Sequence, residues 1–153
     1  MSVVVHGLTG LKSLAGSELE PSRWLTMSQD RIQTFADATG DHQWIHVDVD
    51  RASTGPFGGT IAHGYLTLAI IIPLWTEMVQ IEGIGMAINY GLNRVRFPAP
   101  VPAGSRVRLH ATVDSVADVA GGSGVQLDAT FTVEVAGGEK PAAVAQALYR
   151  YYA

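Results

Sequence analysis

From Ile61 to Thr76 the chain carries no Asp, Glu, Lys or Arg. A helical segment that is apolar at nearly every position has no face fit for water, so it must be buried all round. The pattern predicts such a helix from Ile61 to about Val79, with Thr60 as its N-cap and Pro73 expected to kink it or end it early. The remainder of the protein has to cover this helix. A chain of 153 residues is long enough to do so as one domain. Residues 1–153 are read as that single domain, with residues 1–22 as an N-terminal extension or short helix.

The cover is legible downstream. Val107, Leu109, Ala111 and Val113 alternate with Arg106, Arg108, His110 and Thr112. After a Gly121–Gly124 turn, Val125, Leu127, Ala129, Phe131, Val133 and Val135 alternate with polar partners in the same way. Period-two alternation means strands with one buried and one wet face. A Gly137-Gly138 turn then leads to a last strand, roughly Ala142 to Tyr152. Ile88 to Phe97 also reads as extended, and Pro98, Pro100 and Pro102 stiffen the connection after it. The fold class is α+β: an antiparallel sheet available to wrap one apolar helix.

Upstream, Leu8 to Leu19 could form a short helix carrying Leu8, Leu11, Leu14 and Ala15, interrupted by Gly10 and Gly16. Arg23 to Met27 suits a short strand. Ser28 looks like an N-cap, with Asp30 in the first turn, Ile32, Phe35 and Ala36 on one face, and Gly40 as the stop. Asp41 therefore leaves the end of a helix. The residues from Asp41 to Asp48 read as non-helical, and turn formers from Asp48 to Thr60 read as a loop.

Composition narrows the partners. The formal net charge is −4 and the arginines are scattered, which speaks against nucleic acid. Cysteine is absent, so disulfides, thiolate metal sites and cysteine nucleophiles are excluded. Met1 to Gly10 lacks a basic region followed by an apolar core, and Leu66 to Leu74 is too short to span a bilayer. A soluble, cytoplasmic protein without membrane insertion is the expectation.

Chemistry concentrates between Asp41 and Leu66. Asp41 and His46 are close enough in sequence for both side chains to enter one cleft. A carboxyl group and an imidazole that share a water can divide two proton transfers, one taking and the other giving. The alternative is a solvated acid and a surface histidine. Gly64 lies near the start of the apolar helix, where backbone N–H groups lack intrahelical partners and no Cβ keeps a ligand oxygen away. It could hold an oxyanion, or it could serve only close packing. His42, His46, Asp48 and Asp50 follow no recognised metal-ligand spacing. Ser53, Ser105 and Ser123 lack the context of a nucleophile elbow.

The segment Gly40 to Asp48, Ile61-Ala62-His63-Gly64-Tyr65-Leu66, and the later Val95-Arg96-Phe97-Pro98-Ala99-Pro100-Val101-Pro102-Ala103-Gly104 together resemble the MaoC-type dehydratases, or (R)-specific enoyl-CoA hydratases (hydratase 2). The resemblance runs from about Ser28 to the C-terminus. It implies the hot-dog fold, a curved antiparallel sheet around a long central helix, with homodimerisation. Carried over by motif position, Asp41 and His46 are the catalytic pair, and the Gly64 backbone N–H is the oxyanion donor. Trp44, His63, Tyr65 and Asn89 are candidate pocket residues. The implied reaction is reversible syn addition of water to a trans-2-enoyl thioester, giving a (3R)-3-hydroxyacyl thioester. CoA or acyl-carrier-protein phosphopantetheine would carry the acyl group, and no metal or redox cofactor is expected. Arg51, Arg94, Arg96 and Lys140 could meet the carrier's phosphates or remain solvated charges.

Many family members place Asn and Pro between the acid and the histidine, where this chain has Gln43 and Trp44. In this it resembles the nodulation protein N branch and mycobacterial (3R)-hydroxyacyl-thioester dehydratases. Trp44 could reshape the acyl pocket. An acyl-CoA thioesterase on the same fold and a non-catalytic acyl-thioester-binding subunit are the competing readings, because fold alone does not set function.

Overall fold

The computed structural model describes residues 2–153. The chain enters through β1 (Val3–His6), α1 (Gly7–Lys12) and β2 (Leu25–Thr26) before α2 (Gln29–Thr39). Two short helical pieces come next, α3 (Trp44–Val47) and α4 (Val49–Ser53). The apolar segment forms α5 (Gly64–Ala69) and α6 (Ile71–Met78). Strands β3 (Val79–Glu82), β4 (Met86–Arg96), β5 (Arg106–Asp118), β6 (Gly124–Val135) and β7 (Ala143–Tyr152) complete the chain.

The alternating strands pair as expected. The order in the main sheet is β2-β5-β6-β7-β4, antiparallel throughout, and the sheet curls around α5 and α6. In β5 and β6, Val107 pairs with Val135 and Ala111 with Phe131, so their inward residues meet opposite each other. Leu109, Leu127 and Phe131 are fully buried in one core with Leu74 of α6. The Trp75 indole donates to the Tyr151 hydroxyl at 3.0 Å, which satisfies a polar tip inside an apolar core. No helix among the described residues is long and apolar enough to cross a membrane.

Several expectations change. The central helix begins at Gly64 with His63 at the cap position, not at Ile61 with Thr60 as cap. Ile61 and Ala62 are held extended: Ile61 bridges to Pro102, and the Ala62 N–H donates to the Val101 carbonyl at 2.8 Å. Pro73 does interrupt the helix, and the break falls at Ile70, after Ala69. A proline removes its own N–H and crowds the carbonyl four residues earlier, which here is Ala69.

Nor is the helix hidden on every side. Tyr65, Ala69, Ile72, Pro73 and Thr76 form an exposed stripe, with Tyr65 at 73% exposure. The segment beyond Asp48 is not all loop, because the Asp48 side chain accepts from the Arg51 N–H at 3.0 Å and caps α4. The helix read across Leu8 to Leu19 ends at Lys12, although Leu11 and Leu14 are buried as anticipated. Val79 lies in a strand, and β1 pairs with it in parallel through β3, from Val3 opposite Val79 to His6 opposite Glu82.

Candidate active site

Helix α2 aims Asp41. The Ser28 hydroxyl accepts from the Arg31 N–H at 3.2 Å, starting the helix as the sequence suggests. Gly40 ends it at φ 79°, a left-handed conformation that a Cβ would strain. The chain then swings outward, leaving Asp41 exposed.

His46 lies on α3. The expected non-helical run from Asp41 to Asp48 is therefore corrected: one helical turn carries the imidazole into the interior, where it is 6% exposed. Hydrogen bonds to its ring, to its backbone and to the neighbouring residue hold it there. The His46 Nδ1–H donates to the Ile61 carbonyl at 2.7 Å. The Gln29 side-chain amide on α2 donates to the His46 carbonyl at 2.8 Å, and the Thr60 hydroxyl donates to the Gln29 side-chain oxygen. The Ile61 N–H donates to the Ile45 carbonyl at 3.0 Å.

These contacts fix the tautomer. A carbonyl oxygen only accepts, so Nδ1 carries the hydrogen and the neutral ring keeps a bare lone pair on Nε2. Burial, the largest cause, holds the His46 pKa below its ordinary value; the hydrogen bond to Ile61 opposes it, His63 adds to the lowering and Asp41 opposes it. The ring therefore resists protonation more than a free imidazole does.

His63 lies against this ring. The two imidazoles stack with centroids 3.8 Å apart and planes 25° from parallel. The His63 Nε2–H donates to the Asp41 backbone carbonyl at 2.9 Å, and Phe35 packs on the ring at 4.8 Å. A carboxyl oxygen of Asp41 and one nitrogen from each of His46 and His63 fall within 4.8 Å of one another. Such a trio invites a metal reading. Ring stacking speaks against it, since lone pairs in near-parallel planes do not converge on one ion. His42 pairs with Asp37 at 3.0 Å and Asp48 caps a helix, so the residues considered as a cluster from sequence have other tasks.

Gly64 is the first residue of α5, where its N–H has no acceptor within the helix. A Cβ there would sit 3.1 Å from the Phe97 ring. Both readings of this glycine thus have a basis: close packing against Phe97 and an open helix start beside His63. Next to it, Tyr65 opens a groove of about 240 Å³ lined also by Leu68, Ile72, Asn89, Leu92 and Tyr149. A hollow of about 490 Å³ shares Ile72, Asn89 and Tyr149 and extends to Trp75 and Tyr151. Tyr65 lines the first of these hollows and Asn89 lines both. Trp44 lies elsewhere: its ring packs under the Arg51 guanidinium at 4.3 Å and against Gly55.

Gln29, Phe35 and Thr60 support the site without having been singled out for it. Their contacts are long in sequence, and no local pattern distinguishes them. Ile61 and Phe97 had a signal, their places in the Ile61-Ala62-His63-Gly64 and Val95-Arg96-Phe97-Pro98 motifs.

Comparison with known proteins gives a consistent picture. The family model described as the MaoC like domain matches residues 11–135. The 3-hydroxyacyl-thioester dehydratase Z of Mycobacterium tuberculosis is 53% identical over 97% of both chains. Nodulation protein N of Rhizobium leguminosarum is 44% identical over 90% of this chain and 86% of its own. The crystal structure of an (R)-hydratase from A. caviae superposes with a TM-score of 0.68 at 22% identity, covering 87% of this chain and 95% of that one. The last comparison establishes the hot-dog fold.

Proposed function

The chain belongs to the MaoC-like dehydratase family, and on that premise we propose that it is a (3R)-3-hydroxyacyl-thioester dehydratase, equally an (R)-specific enoyl-thioester hydratase. The observation that carries this reading is the approach of Asp41 to a buried His46 whose Nε2 is bare, beside the start of α5. In the hydration direction, the thioester carbonyl oxygen accepts from the Gly64 N–H. Electron density drawn toward that oxygen makes C3 electrophilic. Water bonds to C3 as hydroxyl, the Asp41/His46 pair takes its spare proton, and the pair passes that proton on to C2, which restores its starting state. Because both groups lie on one side of the substrate, the addition is syn. Dehydration is the same path reversed, and the only co-reactant is water.

The acyl chain lies in the groove that starts at Tyr65 and continues past Asn89, whose apolar walls suit a hydrocarbon tail. Acyl-CoA or acyl-carrier-protein thioesters are the substrates, and a cytoplasmic location accords with such intracellular substrates. The whole chain acts as one domain in this reading. The protein works as a homodimer, since β4 is an edge strand whose large apolar side chains Met86, Ile88, Tyr90 and Leu92 are exposed.

Incubation with crotonyl-CoA tests the activity. Loss of enoyl absorbance without free thiol is expected. Thiol release would point instead to a thioesterase, and tight binding without turnover to a binding subunit.

A further inference from the structure

The trio of Asp41, His46 and His63 contains one side chain that takes no part in the proton transfers. We propose that His63 is a positioning residue, whose ring holds Asp41 and His46 in register with each other and with Gly64. The inference rests on the function proposed above and deepens it.

Its position gives it a hold on each of the three. Through Nε2–H it anchors the Asp41 backbone at 2.9 Å, immediately beside the carboxyl group whose placement matters. Through its face it stacks on His46 at 3.8 Å. Through the chain it is bonded to Gly64, and its own carbonyl accepts from the Thr67 N–H at 3.1 Å, closing the first turn of α5. A shift of the His63 ring would therefore move acid, base and carbonyl donor relative to one another.

The hydrogen bonds of the ring set its tautomer. The Asp41 carbonyl can only accept, so Nε2 carries the hydrogen. Nδ1 is buried without a hydrogen-bond partner, in a residue 2% exposed, so a donor there would have nothing to donate to.

Two substitutions separate the functions of the ring. His63→Gln keeps an amide donor able to reach the Asp41 carbonyl but removes the stack. His63→Phe keeps an aromatic face and removes the donor. Each is expected to lower kcat for crotonyl-CoA hydration at least ~10-fold with little change in KM, since a misplaced catalytic group costs rate rather than binding.

The pH profile adds a readout that simple loss of packing would not move. The titratable groups acting on His46 are His63 and Asp41, while Gln29 and Ile61 contribute neutral dipoles. His63 adds to the lowering of the His46 pKa, so its replacement by Phe moves the acidic limb of kcat/KM to higher pH. A limb that moves down or stays, or unchanged rates in both variants, would overturn the proposal.

Nitrogen NMR of the unsubstituted protein without substrate reads the tautomer even if neither variant folds. The neutral form of His63 is expected to carry its hydrogen on Nε2 with Nδ1 bare; the opposite tautomer overturns the proposal. Absence of turnover in the unsubstituted protein would sink the dehydratase reading alone and leave the NMR result standing.

Discussion

Burial lowers the proton affinity of His46, and the direction of that effect fixes two pH dependences. Because the folded-state pKa lies below the ordinary 6.5, the unfolded chain holds the extra proton at intermediate pH. The stability tied to His46 is therefore fully present above about pH 6.5 and falls as pH drops through that value toward the folded one. For activity, the neutral base survives further into acid than a free imidazole. The acidic limb of kcat/KM is expected below pH 6.5, and a limb above it would count against His46 as the base. Asp41→Asn and His46→Gln should each reduce hydration at least ~100-fold while circular dichroism stays native, the lower end for a positioned acid or base. Near-normal rates in both would remove these residues from the reaction.

The short elements around the site hold their side chains by contacts, not by length. Helix α5 can begin where it does because Ile61 and Ala62 are tied to Val101 and Pro102 and cannot wind. At its start, Gly64 leaves little room under Phe97. Gly64→Val should cut activity strongly, and Phe97→Leu in the same chain should restore part of it if crowding is the cause. Full loss in the double variant would assign the effect to the shielded N–H instead. At the other end of the site, Ser28→Ala should cost about 1 kcal/mol of stability by removing the cap of α2. Urea denaturation measures this, and little change in the midpoint would show that the cap is replaced by water.

Across the whole molecule, the free edge of β4 and the exposed stripe of the central helix carry the apolar surface that the sheet does not cover. A helix whose one charged residue is Glu77, in its last turn, and with Tyr65 73% exposed is poorly solvated alone. Sedimentation is expected to give a dimer, and Ile88→Lys should shift it toward monomer by placing a charge on the edge strand. A monomer at all working concentrations would remove the dimer from the proposal. The same face borders the acyl groove, so Leu92→Trp, which fills it, should reduce turnover of long enoyl-CoAs far more than that of crotonyl-CoA. Equal losses across chain lengths would place the acyl chain elsewhere.

Period and punctuation in the sequence determined the sheet strands, the start and stop of α2, and the interruption caused by Pro73, because each depends on residues within a turn or a pleat of one another. The motifs also named Asp41, His46, His63 and Gly64. Their mutual arrangement belonged to the tertiary structure. Only packing could show that His46 is buried by a turn of helix, that Ile61 chooses its tautomer, and that His63 stacks on it, since Ile61 and His63 act on His46 from another part of the chain. Trp44 is the reverse case. Its place in the family motif suggested the acyl pocket, and in the structure its ring packs on Arg51 of α4 and on Gly55. Side-chain direction at the end of a short helix is decided by what it can pack against, and that is not written in its neighbours in sequence.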